Sequence, residues 1–172
     1  MTPYDGYENG TYIEDELTIE GCNPPSSGRW NVNGLEVCRN REIEFNEFIY
    51  VDSGDTLILD NVTLISSYTT STSGTVIRVQ NGGRLETDNE TVIKSSGTQI
   101  PYLRVYTGSS ADIKNTTMLP SSPGRFRFYM STGATANVTD SSLGYVSYFY
   151  GTSKTAITNS YVNSPYISVS YT

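Results

Sequence analysis

One eight-residue pattern returns along this chain, and it limits the folds open to it more than any other feature. Its members are LILDNVTL (57–64), LETDNETV (85–92), ADIKNTTM (111–118), ANVTDSSL (136–143) and TAITNSYV (155–162). Each pivots on an asparagine or its acid counterpart: Asn61, Asn89, Asn115, Asp140 and Asn159, at spacings of 28, 26, 25 and 19 residues. Blocks this short cannot bury an apolar face alone, so their return implies units that stack on one another.

The rest of each repeat keeps the same register. Seven residues before the first four pivots stand Gly54, Gly82, Gly108 and Gly133, and the last repeat offers Thr152 beside Gly151. Glycine there suits a turn of positive φ. Before each glycine an alternating strand sets inward pairs: Ile49 and Val51, Ile77 and Val79, Leu103 and Val105, Phe128 and Met130, Ser147 and Phe149, with Ile167 and Val169 beginning a sixth. Two residues before the pivots come Leu59, Thr87, Ile113, Val138 and Ile157; three after them come Leu64, Val92, Met118, Leu143 and Val162. Each repeat thus carries three short strands, and polar loops such as SSYTTSTSG (66–74) and PSSPG (120–124) lead to the next.

Three strands per coil with a tight asparagine turn resemble the right-handed parallel β-helix of the pectate-lyase-like superfamily. The resemblance covers about residues 43–172 and implies an all-β fold: a right-handed single-stranded parallel β-helix, or β-solenoid, of about five to six coils with an N-terminal cap. It also implies an inward asparagine ladder at the turn between the second and third strands, while many unrelated activities share the scaffold. The physics fits. Stacked coils lie about 4.8 Å apart, and a side-chain amide can both donate to and accept from its neighbours in a column. The expectation is a buried ladder of Asn61, Asn89, Asn115, Asp140 and Asn159, weakest at Asp140, whose ionised carboxylate has no proton to donate.

Residues 1–42 depart from the register and read as an N-terminal cap or irregular first coil, in which Trp30, Val32, Leu35 and Val37 alternate; Ile43 and Phe45 follow, with a turn near Asn46. The solenoid, 43–172, ends on YISVSYT without an evident cap. An open end suits a fragment of a longer solenoid, a final closing strand, or completion by a neighbouring subunit. End-to-end contacts of the last kind are heterologous and make a homo-oligomer or polymer.

Composition narrows the function. The chain of 172 residues is 36% hydrophobic, has no histidine and is about a quarter Ser and Thr, which favours short strands. Its net charge is −7, and 11 of its 18 carboxylates lie in residues 1–53; without clustered Lys and Arg it lacks the footprint of a nucleic-acid binder. No apolar window is long enough for a membrane span, and no signal peptide follows Met1. Cys22 and Cys38 are the only cysteines. With no histidine a zinc site lacks ligands, so a Cys22–Cys38 disulfide and an extracellular or cell-surface location are expected, with two unbonded thiols as the alternative. Five Asn-x-Thr sequons begin at Asn9, Asn61, Asn89, Asn115 and Asn137. A buried ladder amide cannot carry a glycan, which leaves Asn9 and the outward Asn137 as acceptors.

The outer face of the first strands sets Tyr50, Arg78, Arg104, Tyr129 and Tyr148 in one column, beside Asp52, Gln80, Tyr106, Ser131 and Tyr150. Aromatic planes with guanidinium and amide groups suit a polysaccharide; they equally suit subunit packing or a solvated strand face. Catalytic residues are not evident. A glycosidase needs two opposed carboxylates, and this face offers Asp52, with Asp55 near a turn. Asp60 and Asp88 share an outward column, as do Glu86 and Asp112, an arrangement that suits either a Ca2+ ion or water; no other metal or cofactor is indicated. These features together give a non-catalytic extracellular structural protein, a surface-layer, adhesin or filament subunit associating through its ends and Tyr-rich face. The alternative is a carbohydrate-active enzyme or carbohydrate-binding module on the same scaffold.

Overall fold

A computed structural model of the chain describes residues 21–67, 75–96, 102–119, 126–143, 146–150, 154–162 and 165–168; at Thr75, Val76, 146–150 and 165–168 it describes the backbone alone. The strands in order are β1 (Trp30–Asn31), β2 (Leu35–Phe45), β3 (Ile49–Val51), β4 (Thr56–Ser66), β5 (Thr75–Val79), β6 (Arg84–Asp88), β7 (Thr91–Ser95), β8 (Tyr102–Val105), β9 (Ser110–Lys114), β10 (Thr116–Met118), β11 (Arg127–Met130), β12 (Thr135–Thr139), β13 (Ser142–Leu143), β14 (Val146–Tyr150), β15 (Lys154–Thr158), β16 (Tyr161–Val162) and β17 (Pro165–Ser168). There is no helix among the described residues.

The strands form a parallel β-solenoid. One sheet runs β1-β3-β5-β8-β11-β14-β17, and the other runs β15-β12-β9-β6-β4-β7-β10-β13-β16 with β2 on β4. In the second sheet β4 runs unbroken through its pivot, pairing its first half with β6 and its second half with β7. The stack makes about four turns, not the five to six expected. At the ends of the two sheets, β1 and β17, like β15 and β16, have a described neighbour on one side only.

Alternation puts every second side chain into one continuous core. Ile49, Val51, Ile77, Val79, Leu103, Val105, Phe128 and Met130 are all fully buried, as their pattern predicts. Ser147, Phe149 and Ile167 lie where the backbone alone is described, and Val169, Gly151 and Thr152 fall outside the described residues. Leu59, Thr87, Ile113 and Val138 are buried too, whereas Ile157, in the outermost β15, is 42% exposed. Gly54, Gly82, Gly108 and Gly133 have φ of 76–91°, so the glycine of each repeat makes the left-handed turn expected of it. Gly83 is held for a different reason: a Cβ there would lie 2.3 Å from the Val51 carbonyl oxygen, so a side chain cannot fit between successive coils.

Three local expectations shift. The first coil is not irregular from 30 onward: β2 pairs with β4 from Leu35↔Thr56 to Phe45↔Ser66, and the division placed at residue 42 falls inside it. Its pivot is Asn40, at φ 50°, and the chain bends at Asn46 after Phe45, as expected. The pairing of Glu36 with Leu57 and Cys38 with Leu59 turns Glu36 and Cys38 inward, and Leu35 stands 40% exposed. The Glu36 carboxylate is tolerated because three donors reach it: Trp30 Nε1 at 3.1 Å, Asn23 N at 3.2 Å and Asn33 N at 3.1 Å. The third shift is in the second repeat, where Glu90 is an extra turn residue at φ 62°. It moves the inward position from Val92 to Ile93, which pairs with Leu64 on one side and Met118 on the other.

Cys22 and Cys38 form the disulfide. With Glu36 it ties residues 22 and 23 to the first coil.

Candidate functional site

The pivots form an edge where the second sheet bends, and this edge overturns the buried amide ladder. Asn61, Asn89, Asn115, Asp140 and Asn159 all have φ of 43–53°, the left-handed turn that asparagine tolerates, and all are exposed. A residue at such a turn points its side chain outward, so the amides cannot stack in the core. They reach sideways to the preceding coil. Asn89 Nδ2 donates to Asp60 Oδ1 at 2.6 Å, Asn115 Nδ2 to Asp88 Oδ1 at 3.1 Å, and Asn159 Nδ2 to Asp140 Oδ1. Asn61 alone among the pivots meets another amide, Asn40 Oδ1, at 2.9 Å. Asp140 accepts from Asn159 but has no proton to donate, and among the described residues it makes no such clasp to the preceding coil, as its acid character implies. The same clasp recurs away from the pivots, with Asn81 Nδ2 on Asp52 Oδ1 at 2.7 Å and Asn137 Nδ2 on Asp112 Oδ1 at 3.0 Å.

The buried ladder belongs to the residue that follows the turn. Thr91, Thr116 and Ser141 are buried, and the hydroxyls of Thr91, Ser141 and Ser160 accept backbone N–H groups of the preceding coil: Val62 N donates to Thr91 Oγ1 at 3.3 Å, Thr116 N to Ser141 Oγ at 3.1 Å and Ser141 N to Ser160 Oγ at 3.1 Å. Thr87 Oγ1 and Thr116 Oγ1 lie 2.7 Å apart. The sequence carried a signal for this column, a hydroxyl immediately after Asn115, Asp140 and Asn159, obscured in the second repeat by Glu90.

Two carboxylates of the clasps are held below their ordinary value of 3.8. Asp52 is lowered chiefly by the Gln80 amide, at 3.0 Å, and then by Asn81. For Asp88, partial desolvation pulls upward, but the Asn89 backbone N–H, Lys114 and Asn115 outweigh it. The register brings Asp60 beside Asp88 and Glu86 beside Asp112, as expected, along a surface hollow of about 310 Å³. Cationic side chains answer them: Arg39 meets Asp60 at 3.1 Å, Lys114 meets Asp88 at 3.1 Å, and Arg84 bridges Glu86 at 2.7 Å and Asp112 at 3.2 Å. No group of three or more metal-ligating side chains is found among the described residues. Asp55, beside its turn, accepts from Gly34 N at 2.8 Å.

The outer face of the first sheet is the other candidate surface. Pairing sets Tyr50, Arg78, Arg104, Tyr129, Tyr148 and Tyr166 in one column. The Arg104 guanidinium lies 4.3 Å from the Tyr129 ring centre and 4.7 Å from that of Tyr106, and Arg78 lies 5.2 Å from Phe48 and 5.3 Å from Tyr50. Arg29 over Tyr50 at 4.5 Å and Arg127 over Tyr102 at 5.0 Å extend the pattern to residues that the strand alternation did not single out. Such contacts stabilise each cation by about 0.5–1 kcal/mol at exposed sites. Among the described residues, neither Arg78 nor Arg104 has a carboxylate in ion-pair range, and the Nε of each is buried without a hydrogen-bond partner. The side chains of Tyr148 and Tyr150 and the whole of Asn9 lie outside what is described.

Set against known proteins, the chain matches no family model, no curated protein and no solved structure.

Proposed function

We propose that this protein is a non-catalytic, extracellular structural solenoid, a surface-layer, adhesin or filament subunit, whose contact surface is the Arg–Tyr face of the first sheet. The observation that carries this reading is the pair Arg78 and Arg104. They are two like charges on adjacent coils, one strand spacing apart, held by aromatic rings with no carboxylate in ion-pair range among the described residues. On the opposite sheet Arg39, Arg84 and Lys114 are each matched to an acid, whereas Arg78 and Arg104 sit side by side, so their face has electrostatic free energy to gain from a partner. The carboxylates Asp52, Asp60, Asp88, Asp112 and Asp140 favour a structural role, because each already accepts an amide from the next coil. The disulfide is compatible with an extracellular setting. End-to-end association would extend the same parallel ladder that joins the coils.

The same pair of cations also favours the second reading, a carbohydrate-binding module that takes an acidic polysaccharide along this face. Sedimentation and electron micrographs of the purified chain, with and without Arg78→Glu and Arg104→Glu, distinguish the two. Concentration-dependent assemblies that the charge reversals dissolve support subunit contact. Monomers that bind an acidic glycan in an arginine-dependent way support the second reading, and cleavage of that glycan overturns the non-catalytic assignment.

A further inference from the structure

The exposed pivot edge removes the reason for denying it a glycan. We propose that Asn61 and Asn115 are N-glycan acceptors, occupied on alternate coils, and that Asn89 between them is left bare. The inference rests on the extracellular placement proposed above and goes beyond it by assigning a modification to named atoms.

All three residues begin an Asn-x-Thr sequence: Asn61-Val62-Thr63, Asn89-Glu90-Thr91 and Asn115-Thr116-Thr117. All three amides are exposed at a sharp turn. Each amide nitrogen carries two protons, and the clasp to the preceding coil uses one. A glycan can replace the other, so modification and clasp are compatible at the same nitrogen. In the transfer, the amide nitrogen bonds to the anomeric carbon of a sugar carried on a lipid diphosphate. The carbon–oxygen bond to the diphosphate breaks, the diphosphate leaves with the electron pair, and the amide gives up one proton.

Two independent features choose the same pair. Thr63 and Thr117 are half-exposed on the outer side of their strands, so at Asn61 and Asn115 both the asparagine and the threonine of the acceptor sequence reach water, and only the middle residue, Val62 or Thr116, is buried. At Asn89 the extra residue Glu90 turns Thr91 into the core, where it is fully buried and its hydroxyl donates to the carbonyls of Leu59 at 3.0 Å and Asp88 at 2.7 Å. Spacing agrees. Successive coils are about 4.8 Å apart, less than the breadth of a substituted pyranose ring, so neighbouring pivots exclude one another, whereas alternate ones stand about 10 Å apart.

The test uses the full chain carrying a secretion signal, expressed in a host with a lumenal oligosaccharyltransferase. Intact mass is followed by peptide mapping after glycosidase treatment in heavy-oxygen water, which marks each occupied asparagine as a labelled aspartate. The expected result is label at Asn61 and Asn115 and none at Asn89, with Thr63→Ala and Thr117→Ala each removing one glycan while circular dichroism stays unchanged. Label confined to Asn9 or Asn137, simultaneous label at all three pivots, or no label in a secreted chain whose Cys22–Cys38 bond has formed overturns the proposal and leaves the extracellular reading standing. A chain retained in the cell with both thiols free overturns both.

Discussion

Asn115 donates from Nδ2 to Oδ1 of Asp88, one coil back, at 3.1 Å, while its own backbone makes the left-handed turn at φ 43°. One residue thus does two jobs, and substitution separates them. Alanine loses the clasp and also the short polar side chain whose local hydrogen bonding makes the left-handed region tolerable, at up to about 1–2 kcal/mol for the turn alone. Glycine loses the clasp but keeps the turn. In urea unfolding, Asn115→Ala is expected to cost about 2 kcal/mol and Asn115→Gly about half as much. Equal losses would mean that the backbone conformation contributes nothing.

Gly83 tests the closeness of the coils. A Cβ at this position meets the Val51 carbonyl oxygen at 2.3 Å and its carbon at 2.7 Å, both backbone atoms that cannot rotate away. Gly83→Ala is expected to cost at least about 3 kcal/mol, the upper end for overpacking. The neighbouring Gly82→Ala has open space around its Cβ and carries only the turn strain of about 1–2 kcal/mol. Thermal unfolding of the two variants side by side checks the order.

Acid should loosen the stack. The Asp52 and Asp88 carboxyls are held below 3.8 when folded, so the native state binds protons less readily than the unfolded chain. Their stabilisation is complete above the unfolded value and is lost as pH falls through the lower folded values. The urea midpoint is expected to change little on this account at neutral pH and to fall below about pH 4. Asp88→Asn, which removes one of the two titrations, should give a shallower acid limb.

Reduction should release the N-terminal segment. The Cys22–Cys38 bond closes a loop at a sequence separation of 16 residues, for which the chain-entropy estimate is about 3 kcal/mol. Unfolding with and without a reductant that leaves the rest of the chain unmodified measures it. A loss under about 1 kcal/mol would mean that Glu36 and its three donors hold the segment unaided.

The solenoid was legible because its signals are periodic. Alternation of Ile77 and Val79, or Leu103 and Val105, specifies the buried face, and a glycine seven residues before each of four pivots specifies the turn. The direction of the pivot amides was harder to read, because the property that suits asparagine to a left-handed turn also turns its side chain out of the core. Tolerance of positive φ and capacity for amide stacking point to the same residue type, and only the geometry decides between them. Glu90 and Glu36 mark the other limits. A single inserted residue reverses the facing of everything after it until the next turn, and a buried carboxylate looks like a surface residue until its donors from Trp30, Asn23 and Asn33 are in place. The Arg–Tyr columns followed directly from strand alternation, since register alone sets Arg78 beside Arg104.

The central claim is that successive coils are joined inside by hydroxyls and outside by amides, with the inner column the stronger. Thr116→Val keeps the shape but leaves the buried Thr87 hydroxyl and the Lys114 carbonyl without the partner they now have, at about 1–3 kcal/mol. Equilibrium unfolding of Thr116→Val beside Asn115→Gly measures the two columns at adjacent residues of one coil. The larger loss is expected at Thr116. A larger loss at Asn115, with Thr116→Val as stable as the parent, would contradict it and return the spine of the solenoid to the asparagines.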